Sequence, residues 1–313
     1  MNSRRAKLWA VVLAGGEGTR LHGLTKNSHG VAVPKQFCSL QGGPSLLQEA
    51  LQRASSIAPL QRVCTVVAEH HRPWWKRMLS YLPEQNVIVQ AQNRGTAHGI
   101  LLPLLQIAAC DPEAVVVFMP ADHYISDEDT LASSLRHAAV LAAVDRESVY
   151  LLGVEPDQPD TELGYIVPAS RSRAEASPVL RFVEKPSEAV ANDLIAQGAL
   201  WNAFIVAASV RALVTLFESS ESMSGNPPTA DFSRDVLQGR EAMLRVLPVP
   251  NCGWTDLGTP PRIELTLQRL EELRVGPIPR PNPSGHLNLA DQYAGVQRDR
   301  TVEGKFGRVN LHA

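Results

Sequence analysis

The chain has few cysteines, almost no net charge and no long apolar run, and each scarcity excludes a class of protein. Its four cysteines (Cys38, Cys64, Cys110, Cys252) are scattered with no C-x-x-C pair, which argues against a zinc knuckle or a disulfide framework and fits a reducing cytoplasm. Lys plus Arg number 30 against 32 Asp plus Glu, a formal charge of −2. Bulk charge therefore gives no reason to expect nucleic acid or an anionic membrane as partner, while leaving room for a local basic pocket. Apolar runs such as Leu8–Ala14 fall far short of the roughly 18 residues that a membrane helix needs. Arg4, Arg5 and Lys7 precede that run, but it ends in a glycine loop and not at a small-x-small cleavage site, so it reads as a strand and not as a signal peptide. No internal repeat is evident. What is present is ordinary globular composition, 44% apolar and 20% charged, over 313 residues, enough for one large domain or two modest ones.

Apolar β-rich runs alternate with helical patterns through the first half. Leu8–Ala14, residues 62–68, 114–119 and Val149–Val154 read as strands buried on both faces. Helical patterns cover 45–56, 97–110 and 127–145, with Pro103 expected to kink the second unless it lies in the first turn. Such alternation predicts a mostly parallel, doubly wound sheet. Beyond about residue 160 the rhythm changes. Short strands at Gly164–Pro168, 179–183 and 200–207 predict an antiparallel extension of the same sheet, with helices at 187–197, 208–219 and 260–274. Residues 219–229 read as a loop. The domain is expected to span residues 1–275. The segment 276–313, which opens with four prolines in Pro277–Pro283, reads as an irregular tail too short for a second domain.

The strongest local signal is Leu13-Ala14-Gly15-Gly16-Glu17-Gly18-Thr19-Arg20-Leu21, at the end of the first strand. Glycines there let the backbone approach a phosphate, and Arg20 adds a charge-assisted fork. Leu21 stands where a dinucleotide-binding loop has its third glycine, and no Walker loop is present. A merely structural turn is the plainer alternative. Lys35, in Val33-Pro34-Lys35-Gln36, is able to reach the same phosphates or to be a solvated lysine. In Met119-Pro120-Ala121-Asp122-His123, Asp122 ends a strand where open α/β sheets bind ligands. A carboxylate there suits Mg²⁺ or, more plainly, caps the next helix. Asp256, in Gly253–Gly258, is a second candidate acid or a turn former. Glu184, Lys185 and Asn202 suit sugar hydroxyls and a sugar phosphate, or else a surface ion pair and a strand-edge amide.

Taken in order, these segments resemble the sugar-1-phosphate nucleotidyltransferases, most of all the mannose-1-phosphate guanylyltransferases. That family opens with a strand, a G-G-x-G-T-R-L loop and P-K-Q-F, here Gly15–Leu21 and Pro34–Phe37. Gln92–Ala97, Pro120–His123, Gly164-Tyr165-Ile166, Phe182–Pro186, Trp201-Asn202 and Gly253–Gly258 follow in the family order. The resemblance spans about residues 8–265. It implies a Rossmann-like nucleotidyltransferase fold: a mixed, mostly parallel sheet flanked by helices, with an antiparallel sugar-binding extension. It also implies an enzyme that joins GTP and mannose 1-phosphate into GDP-mannose, releasing pyrophosphate with Mg²⁺. Carried over by motif, Arg20 and Lys35 would hold the triphosphate and Lys185 the sugar phosphate. Asp122 and Asp256 would hold the metal. Gly164, Glu184 and Asn202 would read the hexose. Leu13, Ala14, Gly15, Gly16, Gly18, Thr19, Arg94, Gly95 and Thr96 would face the nucleotide. No nucleic acid or membrane partner is implied, and a homo-oligomer is left open.

This chain departs from the family pattern at His98-Gly99, where the guanylyltransferases usually have a different pair, and in three places near the loop or the sugar pocket. His22-Gly23 replaces Trp-Pro. Glu162-Leu163 stands before Gly164 in place of Gly-Tyr. Trp201-Asn202-Ala203-Phe204 is two residues shorter than W-N-S-G-x-F. Two other readings stand beside the first: the same chemistry with another nucleotide or hexose 1-phosphate, and a regulatory nucleotide-sugar binder that kept the fold.

Overall fold

The computed structural model describes residues 7–18, 21, 25, 30–40, 42–172 and 175–275. The expected tail at 276–313 lies outside the described residues, as do Thr19, Arg20, His22 and Gly23. One nine-stranded sheet organises the chain, in the order β3-β2-β1-β4-β8-β5-β9-β7-β6. Its first strands are β1 (Leu8–Ala14), β2 (Val63–Ala68), β3 (Val87–Gln90) and β4 (Val115–Pro120). They run parallel, with Ala14 beside Val67 and Val12 beside Met119.

Period-two alternation sends each strand's side chains to two separate cores. From β1 and β4, Ala10, Val12, Val115, Val117 and Met119 join one core. It is covered by α1 (Leu46–Ile57), α4 (Glu128–Val144) and α5 (Glu188–Ala196). Val11, Val116 and Phe118 join the other, under α3 (Thr96–Cys110) and α6 (Val210–Glu218). The start of α1 is set by a capping box, with Ser45 accepting from Gln48 N and Gln48 accepting from Ser45 N. Asp127 caps α4, its side chain accepting from Thr130 N. A short α2 (Arg72–Met78) buries Trp75, whose indole N–H donates to Ala68 O at 2.8 Å.

The Rossmann-like mixed sheet is as expected, but the antiparallel part sits differently. β8 (Leu200–Ser209) is no peripheral appendage; it runs antiparallel through the middle of the sheet, between β4 and β5 (Val149–Val154). Its sequence LWNAFIVAAS is apolar on both faces, as a central strand must be. β6 (Gly164–Pro168), β7 (Ser177–Glu184) and β9 (Leu244–Pro248) complete the far edge, with β9 parallel to β5. A final α7 spans Pro260–Val275. Among the described residues, no helix is long and apolar enough to cross a membrane.

Pro103 lies inside helix α3, beyond its first turn. Pro103 is buried there, so packing holds the helix together across a position where Gly99 O receives no i+4 N–H. An interior proline costs about 3 kcal/mol, against about 1–2 kcal/mol of buried ring carbon lost on truncation. Pro103→Ala is therefore expected to stabilise the chain by about 1 kcal/mol, raising the thermal midpoint by about 2 °C. A lowered midpoint in calorimetry would show that the ring's packing outweighs the missing hydrogen bond.

Candidate active site

A cleft of about 750 Å³ opens over the carboxyl ends of β1 and β4, where doubly wound sheets bind their ligands. Its first wall is the glycine loop: Leu13, Ala14, Gly15, Gly16 and Glu17 line it. Gln36 holds that loop from behind, its buried amide donating to Ala14 O and Gly16 O at 2.9 Å each. Gly18 packs against the backbone of Lys35 and does not line the cleft. Next to the loop stands the start of α3. Gly95 and Thr96 line the cleft, with Gln90 and Asn93 beside them. Gly95 is at φ +84°, and a Cβ there would collide with Ala230 O. The close approach is used by Ala97 N, which donates to that same oxygen at 3.1 Å.

Arg94 corrects an expectation. Arg94 is not among the residues lining the cleft; its guanidinium donates to Asn226 Oδ1 (2.8 Å), Asn226 O (3.3 Å), Pro227 O (2.6 Å) and Pro228 O (3.2 Å). It fastens the 226–228 loop because four acceptors of that loop converge on one planar fork.

The floor is built by two loops joined through a bridge in which Tyr124 and Thr255 exchange N–H···O bonds of 2.9 and 3.0 Å. That bridge brings Asp122 and Asp256, 134 positions apart in the chain, onto one cleft. Lys35 lies beneath them and differs from its expected role on the triphosphate. Its Nζ contacts Asp122 Oδ2 at 3.0 Å and donates to Asp256 O at 2.7 Å and Leu257 O at 3.1 Å. With all three N–H groups committed to protein, the buried ammonium is a staple. Burial alone would raise the Asp122 pKa, but Lys35, His123 and the hydrogen bonds to the carboxylate together outweigh it and hold the carboxyl below its usual range. Asp256 meets a partner that the motifs did not reveal: Arg262 of α7 donates to its Oδ1, and to Asp160 Oδ2 at 2.6 Å. The same guanidinium lies 5.3 Å over the Trp201 ring. Burial pushes His123 down to about 4 against the pull of both aspartates. Neutral imidazole fits its contact, since His123 Nδ1 accepts from Trp254 Nε1 at 3.1 Å.

The opposite wall gathers Gly164, Glu184, Lys185 and Asn202, as the motifs implied. Gly164 is paired with Glu184 across β6 and β7, and Asn202 follows on β8. Asn202 Oδ1 accepts from Phe204 N at 3.1 Å. Here the register between β5 and β8 slips, from Leu151–Val206 to Gly153–Asn202. The slip bulges β8, and Phe204 lies in the bulge and lines the cleft. Phe204 (φ 54°), Lys185 (φ 47°) and Leu257 (φ 51°) all have left-handed backbone, so strain collects around the site. The last wall, Asp231, Ser233 and Arg234, carries no motif. It is shaped by a π-helical turn, Phe232–Leu237, capped by Asp231 through Arg234 N.

A doubly wound sheet with a pinned glycine loop and paired carboxylates at its carboxyl edge defines a phosphate-handling α/β protein. A family profile described as nucleotidyl transferase matches residues 9–271, and the chain belongs to that family. The mannose-1-phosphate guanylyltransferase ManC of Salmonella typhimurium is 30% identical over 295 residues, covering 83% of this chain and 59% of that protein. A mannose-1-phosphate guanylyltransferase of Escherichia coli K12 is 33% identical over 207 residues, 63% of this chain and 42% of that protein. The chain thus spans about half the length of the curated relatives it matches. A Thermus thermophilus structure described as a mannose-1-phosphate geranyltransferase superposes with a TM-score of 0.67 at 26% identity, covering 80% of this chain and 76% of that one. The inositol-1-phosphate CTP transferase of T. maritima shares the fold, with a TM-score of 0.55 at 17% identity over 86% of this chain and 97% of that one. The motif resemblance to sugar-1-phosphate nucleotidyltransferases is borne out by these relatives.

Glu184 makes the site sensitive to pH. Burial, then the nearby Asp231, push its carboxyl up from 4.5 to about 7, against Lys185 and a hydrogen bond from Ser233. The folded chain therefore keeps a proton that the unfolded chain has released. This group's stabilisation is full below pH 4.5 and is lost as pH rises to about 7. Urea unfolding across that window should show the wild type losing stability relative to Glu184→Gln. A difference that stays constant with pH would mean that Glu184 ionises like an exposed carboxyl.

Proposed function

We propose that this cleft transfers a guanylyl group from GTP to mannose 1-phosphate, giving GDP-mannose and pyrophosphate. The observation that carries the reading is the convergence, in one cavity, of the glycine loop, the Asp122–Asp256 pair and the Gly164–Glu184–Lys185–Asn202 wall. Base and hexose are the finer part of the proposal. They lean on the guanylyltransferase relatives and on the motif order.

In this reading a phosphate oxygen of the sugar phosphate attacks the α-phosphorus in line. One P–O bond forms, the bond to the bridging oxygen breaks, and pyrophosphate leaves with that electron pair. Phosphoryl chemistry of this kind asks mainly for positioning and charge neutralisation. The glycine loop, held by Gln36, lies against the nucleotide, with Arg20 on the triphosphate. Lys185 fixes the attacking phosphate. Glu184, Asn202 and the Gly164 backbone orient the hexose through its hydroxyls.

The charge of the cleft supports a divalent cation. Glu17, Asp122, Glu162, Glu184, Asp231 and Asp256 line it, against Lys185 and Arg234, so a polyanionic substrate needs more positive charge than these residues bring. The donor set is hard carboxylate oxygen, which suits Mg²⁺. A Cβ on Gly258 would occupy the seat of the Asp256 carboxylate, so the glycine keeps that seat open. Asp122 and Asp256 would hold the ion, with Lys35 keeping Asp122 ionised and Arg262 orienting Asp256. When bound, Mg²⁺ supplies charge neutralisation at the reacting phosphates. A reducing compartment fits the thiols. Cys38 and Cys64 are free and buried, and burial pushes both to about 12, which leaves them inert.

The test is pyrophosphate release with Mg²⁺, over five nucleoside triphosphates and the 1-phosphates of mannose, glucose and N-acetylglucosamine. Release confined to GTP with mannose 1-phosphate is expected. Another productive pair would move the substrate, and nucleotide binding without release from any pair would favour the regulatory reading. Lys185→Ala should raise KM for the sugar phosphate at least tenfold more than KM for the nucleotide, the scale of one lost charge-assisted contact. The reverse pattern would exchange the two pockets. Asp122→Asn should lower turnover by at least about 100-fold in protein shown to be folded by near-ultraviolet circular dichroism, with a lowered thermal midpoint because Lys35 loses its anionic partner; full activity would remove Asp122 from the metal site.

A further inference from the structure

A second group of side chains converges beside the glycine loop, apart from the Asp122–Asp256 pair. The parallel register of β1 and β2 sets Ala14 beside Val67, so the segments that follow these strands are neighbours. From the first comes Glu17. From the second comes a 3-10 turn, Glu69–His71, carrying two adjacent histidines. His70 Nε2 lies 2.9 Å from Glu17 Oε2, and His71 Nε2 lies 3.7 Å from the same oxygen. One ligand atom from each of the three falls within 4.8 Å of the others.

The arrangement has the features of a coordination site. His71 is buried, packed edge-on against Phe37 and Trp74 with ring centroids 5.8 Å away in each case, so its imidazole is held rigidly. His70 stacks obliquely on it at 4.1 Å, and its half-exposed side chain leaves a path from solvent. The other carboxylate oxygen of Glu17 accepts from Asn93 Nδ2 at 3.4 Å, which orients Oε2 toward the histidines. Tetrahedral ligands about 2.0–2.1 Å from a metal stand about 3.3 Å apart, between the two distances found. Two imidazoles aimed at one carboxylate oxygen through the same ring atom are better satisfied by a shared cation than by two competing hydrogen bonds. Imidazole with one carboxylate selects a borderline ion such as Zn²⁺ over Mg²⁺, and three protein ligands leave the fourth position for water.

We propose that Glu17, His70 and His71 form a Zn²⁺-type site that ties the glycine loop to the end of β2. Bound there, the ion neutralises a carboxylate that lines the cleft and fixes the loop that meets the nucleotide. The site is independent of which base or sugar the cleft accepts.

The test uses the full chain, stripped of metal and carrying Cys110→Ser to remove its exposed thiol as a rival ligand. Zn²⁺ is titrated calorimetrically in saturating Mg²⁺, and Co²⁺ is followed by its visible absorption. One site is expected, weakened at least about tenfold by His70→Ala and by Glu17→Gln, with the four-coordinate Co²⁺ band lost in His70→Ala. Zn²⁺ should slow amide exchange at residues 15–18 in the parent and not in His70→Ala. His70 lies outside the cleft lining, so transferase turnover without Zn²⁺ should be the same in His70→Ala as in the parent. Equal Zn²⁺ affinity in His70→Ala and its parent would overturn the proposal. So would Zn²⁺ binding that Mg²⁺ displaces, which would put the ion at Asp122 and Asp256.

Discussion

The site hangs on one buried ammonium group. Lys35 reaches the Asp122 carboxylate and the carbonyls of Asp256 and Leu257 with a single nitrogen, joining the segment after the glycine loop, the end of β4 and the loop before α7. These contacts are mutually dependent. Without the cation, a half-buried carboxylate would stand unpaired and two carbonyls would lose their donor, each a desolvation penalty with nothing to offset it. The neighbouring Gln36 does the same for neutral groups, satisfying two carbonyls of the glycine loop. The short Pro34–Phe37 segment thus works less as a ligand-binding motif than as the clasp that gives the other motifs a common geometry.

The sheet supplies the coarse placement that this clasp refines. Parallel β1, β2 and β4 deliver their loops to one edge, and antiparallel β8 returns through the centre with Asn202 and Phe204. Fixed hydrogen-bond registers therefore decide which loops are neighbours. The Tyr124–Thr255 bridge then closes the floor. The resulting walls differ in character. The side near α3 is made of glycines, amides and a hydroxyl, whereas the Glu184–Asp231 side is charged and partly desolvated. A ligand with a flat polar end, an anionic middle and a hydroxylated end matches that gradient.

Most strands and six helices were legible because their signals are local: apolar runs, caps and strand-ending glycines. Short β3, at the sheet edge, and β9, between β5 and β7, were not, since four or five residues carry little periodicity and β9 follows a π-helical turn. Motif order picked out Gly164, Glu184, Asn202, Asp122 and Asp256, which the fold brings to one cleft. It did not reveal their partners. Arg262 lies in an ordinary amphipathic helix, and only the fold places it between Asp160 and Asp256. Arg94 shows the opposite failure: a cation in a nucleotide-like motif is drawn off by backbone carbonyls 132–134 residues away. Asp231, Ser233 and Arg234 carry no local signature, because their place in the cleft comes from how the 226–237 segment folds over Gly95.

The left-handed backbone of Lys185, Phe204 and Leu257 has a consequence for how this chain tolerates change. None is glycine, and a bulky residue in that conformation costs of order 1 kcal/mol or more. Glycine at any of the three would relax the backbone, yet the side chains of Lys185 and Phe204 line the cleft and that of Leu257 fills a small core with Leu21, Leu46 and Ile263. Selection for heat resistance alone would therefore be drawn to these positions first, and would erode the binding surface as it succeeded.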